Sequence, residues 1–174
     1  MGAMDPDTDH PDREHPDRTD EWAALRERHL RPHGERPAST ARGVHHVALL
    51  SQDVERTIRF YQDVLGFPLT DLFENRDYAG STHFFFDLGH GNTIAFFDFP
   101  GLDLGDYAEV LGGLHHLAIS ITPEQWTAAR ERLVAEDVEI LELSGSSMYF
   151  SGPDGERLEL ISDPLGELYG TRVI

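Results

Sequence analysis

Cysteine is absent from the 174 residues, which excludes disulfides, thiolate metal ligands and cysteine nucleophiles. Any metal site must therefore draw on His, Asp, Glu or water. Basic residues are scarce: 14 Arg and Lys against 32 Asp and Glu leave a formal net charge of −18. A field of that sign repels phosphate backbones and anionic bilayers, so neither nucleic acid nor a membrane surface is an expected partner. Long apolar runs are also missing. The longest are strand-length and the N-terminus is acidic, so neither a membrane-spanning helix nor a secretory signal is expected, and a cytoplasmic location is the default. What is present, 39% hydrophobic residues with ten Phe and two Trp, suffices for one good core or for two small modules sharing one.

Along the chain, residues 1–20 are rich in Asp, Pro, His and Arg and offer almost nothing to bury, so a disordered acidic tail is expected. His10 and His15 lie there without fixed geometry for a metal. Residues 21–42 read as a short helix, Glu21–Leu30, with Trp22, Leu25 and Leu30 near one face, able to dock on the domain or a partner subunit. A linker containing Pro32 and Gly34 follows. The folded body begins at Gly43. Val44–Ser51 alternates like a strand; Asp53 then caps a helix whose Val54, Ile58, Tyr61, Val64 and Leu65 make a packing stripe, with Gly66 as its stop. Strands are expected at Phe67–Phe73, His83–Leu88 and Thr93–Phe97, giving the order βαβββ.

The same order recurs after a linker at about 101–112. Leu114–Ile121 reads as a strand, and Thr122-Pro123-Glu124-Gln125 is a capping box with proline at the first helical position, opening a helix to about Ala135. Strands near Val138–Leu143, Ser147–Ser151 and Arg157–Ser162 complete the second unit. The expected organisation is thus α+β, with tandem βαβββ modules at 43–103 and 104–165 forming a curved mixed sheet and a C-terminal tail at 166–174. The closing hairpins superpose without a gap, residues 84–97 on 148–161, which sets Phe85 against Tyr149 and Ala95 against Glu159.

Two features of that duplication point to chemistry. Val44–Ser51 and Leu114–Ile121 share a His-His-hydrophobic-Ala pattern. A period of two places His116, Ala118 and Ser120 on one face, polar or small enough to line a cavity, while His115, Leu117, Ile119 and Ile121 suit packing. By the same division His46 and Ala48 face the cavity. The second feature is Glu159, a carboxylate set between Leu158 and Leu160. On a half-buried strand it would ordinarily face solvent. Together with His46 and His116 it instead makes a facial triad for one divalent transition metal, with coordination positions left open for water, substrate or dioxygen. His83 shares a strand face with Phe85 and is a candidate acid/base residue lining the same pocket, against the alternative of an imidazole hydrogen-bonded on a sheet face.

The βαβββ repeat, the segment HVALLSQDVERTIRFYQDVLGF with His46, its echo HLAISI with His116 and FSGPDGERLEL with Glu159 resemble the vicinal-oxygen-chelate superfamily across about Gly43 to Pro164. That superfamily includes glyoxalase I, type I extradiol ring-cleavage dioxygenases, fosfomycin-resistance enzymes, methylmalonyl-CoA epimerase and the metal-free bleomycin-binding proteins. The resemblance implies a small-molecule substrate and a homodimer. Glyoxalase I and the epimerases usually add a fourth ligand where this chain has Ala95. The remaining His46, His116 and Glu159 look like the set of the dioxygenases and fosfomycin-resistance enzymes. Tyr149 matches the tyrosine before the Pro-x-Gly turn in both groups, which implies a catalytic role. Gly152 departs from the dioxygenase pattern before the proline, as does Asn92 at the place of the dioxygenase acid/base histidine.

The expected function is that of a divalent-metal enzyme, ring-cleavage dioxygenase-like, acting on a small aromatic or hydrophobic substrate with vicinal oxygens. Fe(II) or Mn(II) is the favoured metal, with Zn(II) or Ni(II) as alternatives. A glyoxalase-like lyase or isomerase and a fosfomycin-resistance-type enzyme are the next readings. The non-catalytic alternative is a bleomycin-resistance-type ligand-binding protein. Whether the modules pair within one chain or between two is left open by the sequence.

Overall fold

The structure, a computed structural model, describes residues 16–142 and 144–174. The expected disorder of the first fifteen residues, His10, His15 and the strand end at Leu143 fall outside them. The described residues up to Arg42, with Ile174, form one compact unit and Gly43–Val173 another. In the first, helix α1 spans Thr19–His29 and a single 3₁₀ turn spans His33–Glu35. The helix thus begins inside the stretch expected to be disordered, with Asp20 and Glu21 in its first turn, where they favour the positive end of the helix dipole.

The second unit contains the duplication. Its first module runs β1 (His46–Leu50), α2 (Val54–Ile58), a π-helical continuation (Arg59–Leu65), β2 (Leu69–Glu74), β3 (Thr82–Asp87) and β4 (Thr93–Phe97). The second runs β5 (Leu117–Ser120), α3 (Pro123–Ala135), β6 (Leu141–Glu142), β7 (Ser147–Ser151) and β8 (Arg157–Ile161). Each module closes its own four-stranded mixed sheet, in the orders β1-β4-β3-β2 and β5-β8-β7-β6. A helical crossover after the first strand returns the chain to the sheet, so β1 runs parallel to β4 and β5 parallel to β8, while the other pairs are antiparallel. The first strand of each module therefore lies at a sheet edge.

Both helix starts follow their capping residues. The Asp53 side chain accepts from Arg56 N at 3.0 Å, and Thr122 Oγ1 accepts from Gln125 N at 3.3 Å. The first helix departs from a plain α-helix: after Ile58 it widens into a π-helical run to Leu65, and Gly66, at φ 85°, stops it. The widened turn leaves carbonyls at its end that the second module satisfies. Arg132 Nε donates to Val64 O at 2.5 Å and its Nη2 to Leu65 O at 3.3 Å. No helix among the described residues is long and apolar enough to cross a membrane.

One core serves both modules. Tyr61, Val64, Leu65, Phe84, Phe86 and Phe96 of the first pack in the same cluster as Leu133, Met148, Phe150, Leu158 and Leu160 of the second. The expected stripe Val54, Ile58, Tyr61, Val64 and Leu65 is buried in or packed against it. The modules thus meet through their helix-covered faces, and the opposite faces of the two sheets, carrying His46 and His116, look away from this core. Several strands start later than expected: β1 only at His46, β5 only at Leu117 and β6 only at Leu141. The C-terminal tail is not featureless: Glu167–Leu168 and Thr171–Arg172 pair as a small antiparallel hairpin, β9 and β10.

Candidate metal centre

The ladder register fixes which side chains share the outward face of each sheet. In the second module Ala118, Glu159 and Tyr149 lie in one row across β5, β8 and β7. In the first, Ala48, Ala95 and Phe85 make the equivalent row across β1, β4 and β3. Even the ring contacts repeat: His116 meets Tyr149 edge-on at 5.3 Å between centroids, and His46 meets Phe85 edge-on at 6.4 Å. The deduced superposition of the hairpins thus has a three-dimensional counterpart.

Glu159 does not face solvent. It is 3% exposed, in a strand buried along its whole length, and Ser147 Oγ donates a short hydrogen bond to its Oε1. Its other oxygen, Oε2, lies 3.1 Å from His116 Nε2. Cis ligands on a first-row metal with bonds of about 2.1 Å stand about 3 Å apart, so the pair already has the bite of two ligands to one ion. Burial lowers the pKa of His116, with the Glu159 carboxylate opposing the shift. A neutral ring is the ligand-competent form. The donor set, hard oxygen with borderline imidazole nitrogen, suits a divalent transition metal.

The other candidates fall into two groups. Tyr149 is buried beside the carboxylate; burial and the Glu159 carboxylate push its phenol well up, so at neutral pH it is a hydrogen-bond donor. Its hydroxyl also has Tyr169, at the tip of the β9–β10 hairpin, as a hydrogen-bonding neighbour. Arg157 sits 5.2 Å above the Tyr149 ring and reaches Glu109 Oε1 at 3.1 Å. His46 and His83 belong to the first module's outward face. His83 stacks on Phe97 at 3.8 Å, and its Nε2 is shielded from water with no hydrogen-bond partner. Burial, and secondarily the neighbouring His46, lower its pKa, so it is a neutral imidazole able to accept a proton.

Within the chain, then, His116, Glu159 and Tyr149 come together, and so do His46 and His83, but the two groups do not meet: no cluster of three metal-ligating side chains forms among the described residues. His115 also departs from expectation: it does not pack on the helix but is exposed, as is His45, each lying just before its paired segment, Leu117–Ser120 or His46–Leu50. Ser147 was missed from sequence, although a step of two from Tyr149 along one strand puts it on the same face. Tyr169 and Glu109 carried no signal, since only the tertiary fold returns those segments to the site.

The departure at Gly152 has a packing cause. A Cβ there would stand 2.0 Å from Glu156 Oε1, and that carboxyl is buried, accepting from Tyr61 Oη at 2.8 Å and from Asp154 N at 2.9 Å. Any residue but glycine would displace a group that ties the second module's turn to the first module's helix.

Three known proteins frame these observations. The putative ring-cleaving dioxygenase MhqE of Bacillus subtilis (strain 168) is 31% identical over 80 residues, 44% of this chain and 26% of that protein. This chain thus aligns with only about a quarter of that relative's length. The metallothiol transferase FosB of Lysinibacillus sphaericus (strain C3-41) is 27% identical over 133 residues, covering 69% of this chain and 82% of that one. Among solved structures, a mutant of the fosfomycin resistance protein FosX of Listeria monocytogenes, complexed with Mn(II) and 1S,2S-dihydroxypropylphosphonic acid, superposes with a TM-score of 0.53 at 25% identity, covering 71% of this chain and 94% of that chain. Residues 43–160, the whole of the duplicated body up to Leu160, match one family description, and the chain belongs to the Glyoxalase/Bleomycin resistance protein/Dioxygenase superfamily.

Proposed function

We propose that this protein is a divalent-metal enzyme acting on a small aromatic substrate with two neighbouring oxygens, and that its active site is assembled from two chains. The observation that carries the reading is the buried pair His116 Nε2 and Glu159 Oε2 at 3.1 Å, a preformed two-ligand bite. His46 is the third ligand. It lies on an edge strand of a module whose helix side is already packed on its own second module, so it reaches the pair of a partner subunit rather than of its own chain. A homodimer of this kind has two sites, each with one module from either subunit.

The metal, Fe(II) or Mn(II) in preference to Zn(II) or Ni(II), would supply Lewis acidity toward substrate oxygens. The residues of the chain supply the rest. Phe73, Phe85, Phe97 and His83 form a contiguous wall of rings on the first module's outward face, suited to a flat apolar body. The Tyr149 hydroxyl donates a hydrogen bond to one oxygen of the bound substrate and keeps its proton, and the neutral His83 takes up the proton of the substrate's other hydroxyl. This wall favours ring-cleavage dioxygenase-like chemistry over a fosfomycin-resistance activity. A phosphonate calls for clustered cations, and the guanidinium of Arg157, on the opposite module's face, is already engaged by Glu109.

Metal content after anaerobic reconstitution with Fe(II) and Mn(II) tests the reading. About one tightly held metal per chain is expected in the wild type, and none in Glu159→Ala or His116→Ala. Oxygen consumption with simple catechols then separates ring cleavage from lyase chemistry. A wild type that retains no metal but binds aromatic compounds would return the protein to the ligand-binding class.

A further inference from the structure

The metal reading uses the second histidine of each His-His pair and leaves the first idle. In both modules the outer ring turns its Nδ1 to the Nδ1 of the inner one, at 2.9 Å for His45–His46 and 2.6 Å for His115–His116. The rings stand edge-on, at 77° and 75°. Two neutral imidazoles can share such a contact only if one carries its proton on Nδ1 and the other does not.

That constraint propagates in the second module. For His116 to bind a cation through Nε2, the nitrogen facing Glu159, its proton must sit on Nδ1 and be donated to His115 Nδ1. His115 must then keep its own proton on Nε2. At that position a carboxylate waits: Glu109 Oε2 is 3.7 Å from His115 Nε2, in ion-pair range, while Glu109 Oε1 is held by Arg157 at 3.1 Å. Glu109, His115, His116 and Glu159 thus form one line: the two rings share a hydrogen bond, and a carboxylate stands at either end, 3.1 Å from His116 Nε2 and 3.7 Å from His115 Nε2.

We propose that His115, backed by Glu109, is a positioning residue that fixes the ring of His116 with Nε2 bare toward Glu159; the proposal rests on the metal reading above. It is a carboxylate–histidine arrangement of the kind that orients metal-bound imidazoles, extended by one ring. The first module has only part of it. His45 touches His46 in the same way, but among the described residues no carboxylate stands in ion-pair range of His45. The two outer histidines are therefore unequal.

The test is Mn(II) binding by the full-length protein, with free Mn(II) read by electron paramagnetic resonance, in wild type, His115→Leu, His115→Asn and His45→Leu. Losing the hydrogen-bond partner of a ligating histidine weakens metal affinity by about 10- to 100-fold, the loss expected for His115→Leu. His115→Asn, whose side-chain oxygen can still accept from His116 Nδ1–H, should recover most of it, and His45→Leu should fall short of the His115→Leu loss. In the Zn(II)-loaded wild type, long-range ¹H–¹⁵N spectra should place the His116 proton on Nδ1. If wild type binds Mn(II) and His115→Leu binds it equally well, or if His115→Asn is as weak as His115→Leu, His115 does not position His116 and the metal site stands without it. If wild type binds no metal, the proposed function falls and this proposal with it.

Discussion

The two modules share a scaffold and divide the chemistry. Row by row, the second carries Ser147, Tyr149, Glu156 and Glu159 where the first carries His83, Phe85, Asn92 and Ala95. One therefore presents a buried carboxylate with its hydrogen-bond donor, and the other a half-buried histidine on an aromatic wall. The closing turns differ in the same way. Asn92 donates to Gly89 O within its own turn at 3.1 Å, whereas Glu156 reaches across to Tyr61 of the other module. Duplication supplied two copies of a sheet that can present side chains at equivalent points. Once copied, the two sheets were free to diverge, one keeping the carboxylate row and the other the aromatic one.

The largest effect should come from breaking that division. His46→Ala and Glu159→Ala should each lose the site entirely. Mixed and allowed to exchange subunits, they should recover about a quarter of the wild-type metal, because about half the dimers are mixed and each of these has one intact site of two. Elemental analysis of the mixture decides it; no recovery would place all three ligands in one chain.

Exchangeable positions sharpen the contrast next. Ser147 donates to Glu159, so Ser147→Ala should weaken metal retention by about tenfold in a competitive chelator titration. Its counterpart His83 packs against the rings of Phe73, Phe85 and Phe97. His83→Gln should keep the metal and abolish turnover, and unchanged turnover removes His83 from the mechanism.

The smallest effect concerns the turn. Burial raises the Glu156 carboxyl above its ordinary range, although the Tyr61 and backbone hydrogen bonds oppose this. A raised folded-state value means that Glu156 contributes most to stability below the ordinary carboxylate range and loses that contribution as pH rises through the raised value. Glu156→Gln cannot titrate, so the stability of wild type relative to this variant should fall in urea unfolding as pH rises above the ordinary carboxylate range. A constant difference would mean that Glu156 does not titrate with folding.

Legibility followed how local each signal was. The caps at Asp53 and Thr122, the stop at Gly66 and the core stripe of the first helix were readable because capping and periodicity are properties of neighbouring residues. The faces of His46, His116 and Glu159 were readable because a strand has a period of two and the repeat supplies a second reading of it. The π-helical widening after Ile58 was not, since its loose carbonyls are satisfied by Arg132, far along the chain. Nor was the hairpin at the C-terminus, whose Tyr169 N is held by the Asp163 carboxylate.

By itself, then, the sequence determined the duplication, the outward face of each sheet and the identity of the candidate ligands, because all three are written in short-range period and repeat. Only the tertiary structure decided that Glu159 is buried at 3.1 Å from His116 and that His46 is held apart from them. That outcome depends on the modules packing helix side to helix side, a choice made by long-range contacts such as Tyr61–Glu156 and Arg132–Val64, which no local pattern encodes.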